Sequence, residues 1–356
     1  MSGQHSGLKL ISLIPGSGYG DAACEYAAGL DALGVPVSWL PTHSNRPDLL
    51  PLDRAIADVA PAIHGQMTGL WNRQVDTDTF LLAVPPYRWH EHWLAAESGL
   101  RPFCHLAWEV ESLPESWLAP LNRFEKVFVP SHFNRETFIA GGVTAPVEVI
   151  PHIARDIATR GAGSSAGFLA ENMVRPEDFV FYTIGAWITR KDMESTVRAY
   201  LDTFCADDPV VLVVKTGLFD EAARARLTPG DNSAAAYAMG TPWALARILA
   251  DYPRPARIHL IAQRLEPHQI DQLHRRADCF ISLTHSEGWG LGGFDAALHG
   301  NPVIMTGWGG QLDYLGADYP LLVDFELRAT ADYEDDGHFY RRHNVFWAQA
   351  NRAHAS

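Results

Sequence analysis

Cys279-Phe-Ile-Ser-Leu-Thr-His-Ser-Glu-Gly-Trp-Gly-Leu-Gly-Gly-Phe-Asp-Ala-Ala-Leu-His-Gly-Asn-Pro-Val-Ile304 is the stretch that decides the fold. An apolar strand, Cys279 to Leu283, runs into a polar loop with four glycines, then a helix from Gly293 to His299, then a second strand from Pro302 to Thr306. This strand, glycine turn, helix, strand order is the unit of a parallel α/β sheet. It puts bare backbone N–H groups and a positive helix terminus at the strand's carboxyl edge, where a phosphate is stabilised. Glu287 precedes the glycines and Asp295 follows eight positions later on the first helical turn. A carboxylate beside an anion site repels the anion, so these two fit better as acceptors of hydrogen bonds from hydroxyls. A loop that only caps its helix would use the same residues.

Working outward, the second half carries further apolar runs of the buried-strand kind at Phe179–Ile184, Val210–Val214 and Ile258–Ile261, with helices at Met193–Phe204 and Pro267–Arg276. Arg190 and Lys191 follow the first of these strands and Lys215 the second, cations at strand ends that suit an anionic ligand; ordinary surface cations are the alternative. The first half repeats the pattern. Lys9–Ile14 is a strand, Gly16-Ser-Gly-Tyr-Gly20 a turn and Asp21–Leu33 a helix, and further strands are expected at Val35–Leu40, Thr79–Val84, Phe103–Trp108, Lys126–Val129 and Val147–Ile150. The fold class expected is α/β, two Rossmann-like domains facing across a cleft. Expected boundaries are 1–153 for the first domain, 154–177 for a small, polar linker and 178–330 for the second domain. A tail follows at 331–356, in which Asn344 to Ala355 begins like a returning helix.

Composition bounds the function. The chain has 356 residues, 47% apolar and 20% charged, enough for two cores and against long disorder. The net charge of −14 repels nucleic-acid backbones and anionic membranes. Cys24, Cys104, Cys205 and Cys279 show no metal-type spacing and read as buried thiols. No apolar run approaches the ~18–20 residues a bilayer needs, so a cytoplasmic location is expected, with peripheral membrane contact left open. Gly16-Ser-Gly-Tyr-Gly20 lacks the third glycine of a dinucleotide fingerprint, which disfavours a nicotinamide enzyme. Asp76-Thr-Asp78 precedes its strand and reads as a solvated turn, Trp89-His-Glu-His-Trp93 as a surface helix, and His105 as a core histidine.

Glu287, Gly288-Trp289-Gly290, Asp295, Gly300-Asn-Pro-Val303 and Gly309-Gly310 match, in order, the signature of the retaining nucleotide-sugar glycosyltransferases of family 4, which have the GT-B fold. The resemblance spans about Gly16 to Leu315 and is strongest between Phe179 and Tyr314. It implies transfer of a sugar from a nucleotide-diphosphate sugar, with retention and without a metal or other cofactor, in glycan biosynthesis. The acceptor would be a glycan, a lipid-linked molecule or a small molecule. Under it Glu287 contacts the donor sugar and Asp295 the ribose. The amides near Leu291, Gly292 and Gly293 meet the diphosphate, Trp289 and Gly290 bind on the donor side, Gly309, Gly310 and Gln311 form a neighbouring loop, and Lys191, with Arg190 or Lys215, neutralises the leaving group. Two positions depart from the family: Asp295 stands where it has Glu, and Ala186 where it has Arg. In the first half Cys104-His-Leu-Ala-Trp-Glu-Val-Glu-Ser-Leu-Pro-Glu-Ser-Trp117 resembles a bacterial branch. The family's layout then implies Gly18 as a donor-side contact and Tyr19, Glu109, Glu111 and Ser131 as acceptor-side candidates, with His152 a weaker one. A nucleotide-sugar epimerase, a phosphorylase or a non-catalytic sugar-nucleotide or glycan-binding protein shares this layout.

Overall fold

The computed structural model describes residues 6–43, 46–85, 90–154, 174–219, 240–330 and 345–356. The chain divides into two compact units, Met1–Arg160 and Gly161–Ser356. The expected linker falls largely on 155–173, and part of the expected tail on 331–344, outside the described residues.

The first unit is built on a six-stranded parallel sheet. Its strands are β1 (Leu8–Leu13), β2 (Val37–Thr42), β3 (Thr79–Ala83), β4 (Arg101–His105), β5 (Lys126–Val129) and β6 (Val147–Val149), in the order β2-β1-β3-β4-β5-β6. β1 lies inside the sheet between β2 and β3, and its apolar run buries Leu10 and Ile11 completely. The helix Gly18–Ala32 follows at once, its first turn capped by the Ser17 hydroxyl, which accepts from Gly20 N at 3.2 Å. Any side chain at Gly20 would collide with the Ile14 carbonyl, so glycine there lets the helix start directly on the strand end.

The second unit repeats the plan with β7 (Phe179–Ile184), β8 (Val210–Lys215), β9 (Arg257–Ile261), β10 (Cys279–Ser282), β11 (Val303–Thr306) and β12 (Leu322–Val323), ordered β12-β11-β10-β7-β8-β9 and all parallel. The valine run of β8 shows why a parallel sheet needs continuous apolar sequence. Val211 and Val213 join Tyr182, Leu273 and Phe280 in one core, while Val210, Leu212 and Val214 join Val197, Leu245 and Ile281 in another. Each such valine stabilises the fold by about 1.5–3 kcal/mol. β7 opens the unit and is flanked by β8 and β10, so the chain winds one way through β8 and β9 and the other way from β10. The crevice at the carboxyl ends of β7 and β10 is therefore the topological switch point, where open α/β sheets bind ligands.

The expected α/β class with two Rossmann-like sheets is what the chain forms. The C-terminal segment differs from the expectation. Residues Phe346–Ala350 are not a helix but a strand, β14, paired antiparallel with β13 (Phe325–Ala329) from Phe325↔Ala350 to Ala329↔Phe346. Burial of Trp347 (1% exposed) against a ready ladder partner outweighs helix propensity. A short helix, Arg352–Ala355, follows. No helix among the described residues is long and apolar enough to cross a membrane.

Candidate functional site

At the switch point of the second unit β10 continues through Leu283, Thr284, His285 and Ser286 to Glu287, all buried. From the neighbouring strand end, after β7, a tight turn at Thr189–Lys191 brings in two cations. Lys191 Nζ pairs with Glu287 Oε1, and Arg190 Nη1 lies 3.2 Å from Oε2 and 2.6 Å from the Ser286 carbonyl. Thr284 Oγ1 adds a bond to Oε1 at 3.3 Å. The side chains of Glu287, Arg190 and Lys191 are 8%, 13% and 22% exposed. Burial alone would raise the Glu287 carboxyl, but the Lys191 and Arg190 charges and the bonds they donate outweigh it and hold it below its usual value. Two cations and one anion leave the cluster with net positive charge.

The glycines explain how the backbone gathers here. Gly290, at φ 86°, precedes the helix Leu291–Leu298, whose N-terminus has no side-chain cap. Its first N–H groups are therefore available to an anion. A Cβ at Gly292 would lie 3.3 Å from the Ile184 carbonyl at the end of β7, and one at Gly293 2.8 Å from the Tyr314 hydroxyl, so the first helical turn packs closely on both because these residues are glycine. Tyr314 donates to the Gly290 carbonyl at 3.1 Å and packs with Trp289 and Phe294, which fixes the turn from below. Burial first, then the Glu287 and Asp295 charges, push the Tyr314 hydroxyl well up, so it stays a donor between the two acids. Gly309, at φ 117°, lets the next loop close over the first: Gly310 N donates to the Glu287 carbonyl at 2.8 Å, and a Cβ at Gly309 would sit 2.8 Å from that oxygen.

Lys215 ends β8 opposite Ile184 in register. Its ammonium donates to the Thr216 carbonyl at 3.0 Å, and burial lowers its pKa. No carboxylate pairs with it among the described residues. Thr216 Oγ1, Ser286 Oγ and Gln311 Oε1 are buried beside these loops with no hydrogen-bond partner among the described residues. Buried polar atoms left this way call for a ligand or water.

The structure thus brings together Arg190, Lys191 and Glu287, and adds the loop Trp289–Gly293, the turn Gly309–Gly310 and the strand-end Lys215 at the same sheet edge. Trp289 is 5% exposed, its ring in the aromatic cluster. Asp295 is half-buried one turn into the helix. The first-unit candidates take the following local places. Gly18 and Tyr19 open the first helix, and the Tyr19 hydroxyl bonds both the Ala107 carbonyl and, at 3.0 Å, the Ala107 N–H, tying that turn to the end of β4. Glu109 and Glu111 follow, half-buried. Ser131 is fully buried and caps the helix His132–Ala140, accepting from Asn134 N at 3.2 Å.

His105 is a core histidine, 3.1 Å from both the Tyr26 hydroxyl and the Ile150 carbonyl, and burial pushes its pKa down to about 4. His90 is buried at 3% exposure, whereas its helix neighbours Glu91 and His92 face solvent. Asp78 lies on a surface turn bonded to Ser6 and Thr79. Among the described residues no group of three or more His, Cys, Asp or Glu side chains is placed to hold a metal. The residue that sequence reasoning missed is His285, inside the quoted stretch but without an assigned part. Only its contacts with Asp192 and β14 reveal it.

No protein-family model and no curated protein matches the sequence. Solved structures do match. Trehalose-6-phosphate synthase OtsA is 14% identical, over 90% of this chain and 88% of that one, with a TM-score of 0.57. HepE from Anabaena, in complex with UDP and glucose, is 16% identical over 86% and 82%, with a TM-score of 0.55. Sucrose-phosphate synthase from Thermosynechococcus elongatus is 16% identical over 90% and 86%, with a TM-score of 0.56. These likenesses show the fold: two Rossmann-like domains of the GT-B type.

Proposed function

We propose that the protein is a glycosyltransferase that moves a sugar from a nucleoside-diphosphate sugar to a hydroxyl-bearing acceptor. The observation that carries this reading is the net-positive Arg190–Lys191–Glu287 cluster at the switch point of a sheet that also presents an uncapped helix N-terminus and an unneutralised Lys215. Doubly charged phosphate is the ligand chemistry that such a combination stabilises, and a departing diphosphate gains that stabilisation most as charge grows on it. Glu287 supplies acceptors for sugar hydroxyls, and Asp295 for a ribose. That the HepE structure is a complex with UDP and glucose, and that other neighbours are sugar-phosphate synthases by name, supports the same class. Retention at the anomeric carbon and independence from a metal belong to the proposal through the family resemblance.

In this mechanism Lys191 keeps one donor on Glu287 and gives another to the diphosphate, while Glu287 holds the ammonium in place and blunts its charge before the donor arrives. Lys215 and the N–H groups at Leu291, Gly292 and Gly293 take the remaining phosphate oxygens. The test is turnover of a panel of nucleotide sugars, with and without simple sugar acceptors, by the wild type and Lys191→Ala. Release of nucleoside diphosphate by the wild type alone is the expected result; binding without any turnover across the panel overturns the reading in favour of a binding protein.

A further inference from the structure

The hydroxyl of Tyr314 sits in a notch that two glycines leave open. A Cβ at Gly293 would lie 2.8 Å from that oxygen and one at Gly290 3.3 Å from it, so the hydroxyl stands where the two missing side chains would begin. From there it donates to the Gly290 carbonyl at 3.1 Å, the same oxygen that accepts the first bond of the helix, from Phe294 N at 3.0 Å. One carbonyl thus receives a main-chain N–H and a side-chain O–H, which engages both of its lone pairs. Gly290 holds a left-handed backbone at φ 86°, and the helix Leu291–Leu298 has no side-chain cap. A capping side chain would steady this turn by covering its amides. The Tyr314 bond steadies it at the carbonyl and leaves the N–H groups of Leu291, Gly292 and Gly293 to a ligand.

Tyr314 is itself held from the other side. Gly310 N donates to the Glu287 carbonyl at 2.8 Å, and the buried Gln311 amide donates to the carbonyls of Thr306 at 2.8 Å and Trp308 at 2.6 Å. The short helix Leu312–Leu315 that carries Tyr314 starts on this anchored segment. The ring packs against Trp289 and Phe294, with centroids 5.2 Å away in each case. The hydroxyl therefore joins the segment that braces Glu287 to the first turn of the helix, and phenylalanine at 314 would keep the ring and lose only that joint.

We propose that Tyr314 is a positioning residue for the anion site: its hydroxyl, seated between Gly290 and Gly293, holds the uncapped turn so that the amides of Leu291, Gly292 and Gly293 converge on the diphosphate. The diphosphate part rests on the nucleotide-sugar reading; the bracing of the turn does not. A turn free to fray must be ordered at each binding event, and that ordering is subtracted from affinity. The loss falls on the phosphates, since a bare nucleoside makes no use of these amides.

The test compares Tyr314→Phe, Gly293→Ala and their double variant with the wild type, using whichever of UDP, GDP, ADP, CDP and dTDP the wild type binds, and its parent nucleoside. Tyr314→Phe is expected to weaken the diphosphate about tenfold and the nucleoside less than about twofold. Gly293→Ala drives a methyl into the hydroxyl and should lose at least as much; in the double variant the hydroxyl is gone, so the loss should exceed that of Gly293→Ala by no more than about twofold. Hydrogen exchange at Phe294 N, which reports the turn with no ligand present, should quicken about fivefold in Tyr314→Phe. Unchanged diphosphate affinity in Tyr314→Phe, an equal loss for the nucleoside, losses that multiply in the double variant, or an unchanged exchange rate at Phe294 would each overturn the proposal. A wild type that binds none of the five refutes the nucleotide-sugar reading, and the exchange rate then still decides the bracing claim.

Discussion

Replacing Lys191 by methionine removes a cation while keeping the length of the side chain, and its cost can be worked from the contacts it leaves. Glu287 is left buried, at 8% exposure, with Arg190 at 3.2 Å as its remaining cation. Breaking a fully buried ion pair costs about 3–5 kcal/mol. Arg190 stays and Lys191 is itself 22% exposed, which reduces the expected loss to about 2 kcal/mol. For a unit of this size that lowers Tm by about 4–8 °C. Adding Glu287→Gln removes the stranded charge, so the double variant should regain most of the stability, with a coupling of about 1–3 kcal/mol in the mutant cycle. Turnover should not return, because the group that neutralises the diphosphate is gone, and a loss of about 100-fold or more is expected in both variants.

The pH dependence carries the same signature. Glu287 is held below its ordinary value in the folded chain. The stability this gives is therefore full above the unfolded value of about 4.3 and is lost as pH falls through the lower folded value. Urea unfolding of wild type and Lys191→Met between pH 7 and pH 3 should show the wild-type advantage shrinking only below about pH 4.3. A mutant cycle with coupling under about 0.5 kcal/mol, or a wild-type advantage unchanged down to pH 3, would refute the reasoning.

Gly309→Ala places a Cβ 2.8 Å from the Glu287 carbonyl at a φ of 117°, so it should cost about 1–3 kcal/mol in thermal melts and depress turnover; unchanged values of both would mean that the loop does not brace Glu287. Lys215→Gln removes a desolvated ammonium that has no carboxylate partner among the described residues, so nucleoside-diphosphate affinity should fall about tenfold by calorimetry while Tm holds or rises. Equal affinity would take Lys215 out of the site. His90 and His105 both have folded values of about 4, below the unfolded value of about 6.5, so the unfolded chain binds protons first. Stability should fall between about pH 6.5 and pH 4, by up to about 1.4 kcal/mol per pH unit for each histidine, and His105→Gln should flatten that slope in urea titrations.

The parts of the fold legible in the sequence are those whose signal is local. Val210–Val214 and Phe179–Ile184 read as buried parallel strands because both faces of the sheet are covered and no polar alternation interrupts them. The places of Lys191 and Glu287 at the sheet's carboxyl edge were legible because strand ends and glycine turns mark that edge. Their mutual pairing was not, since it depends on β10 lying beside β7 and not beside its sequence neighbour β9. Ser131 also caps a helix, a local role that its place after a strand did not announce. β14 was hidden because its ladder partner, Phe325–Ala329, stands well upstream, and Trp347 and Ala348 carry no mark of the His285 imidazole they hold.

The central claim is that the switch-point crevice of the second unit binds a nucleoside diphosphate through Lys191, Lys215 and the amides of the glycine loop. Calorimetric titration of the wild type with UDP, GDP, ADP, CDP and dTDP at low salt tests it most directly. The account predicts one diphosphate with a Kd of about 1–100 µM, lost in Lys191→Met with Lys215→Gln. No binding by any of the five up to about 1 mM, or binding that survives both substitutions unchanged, would contradict it.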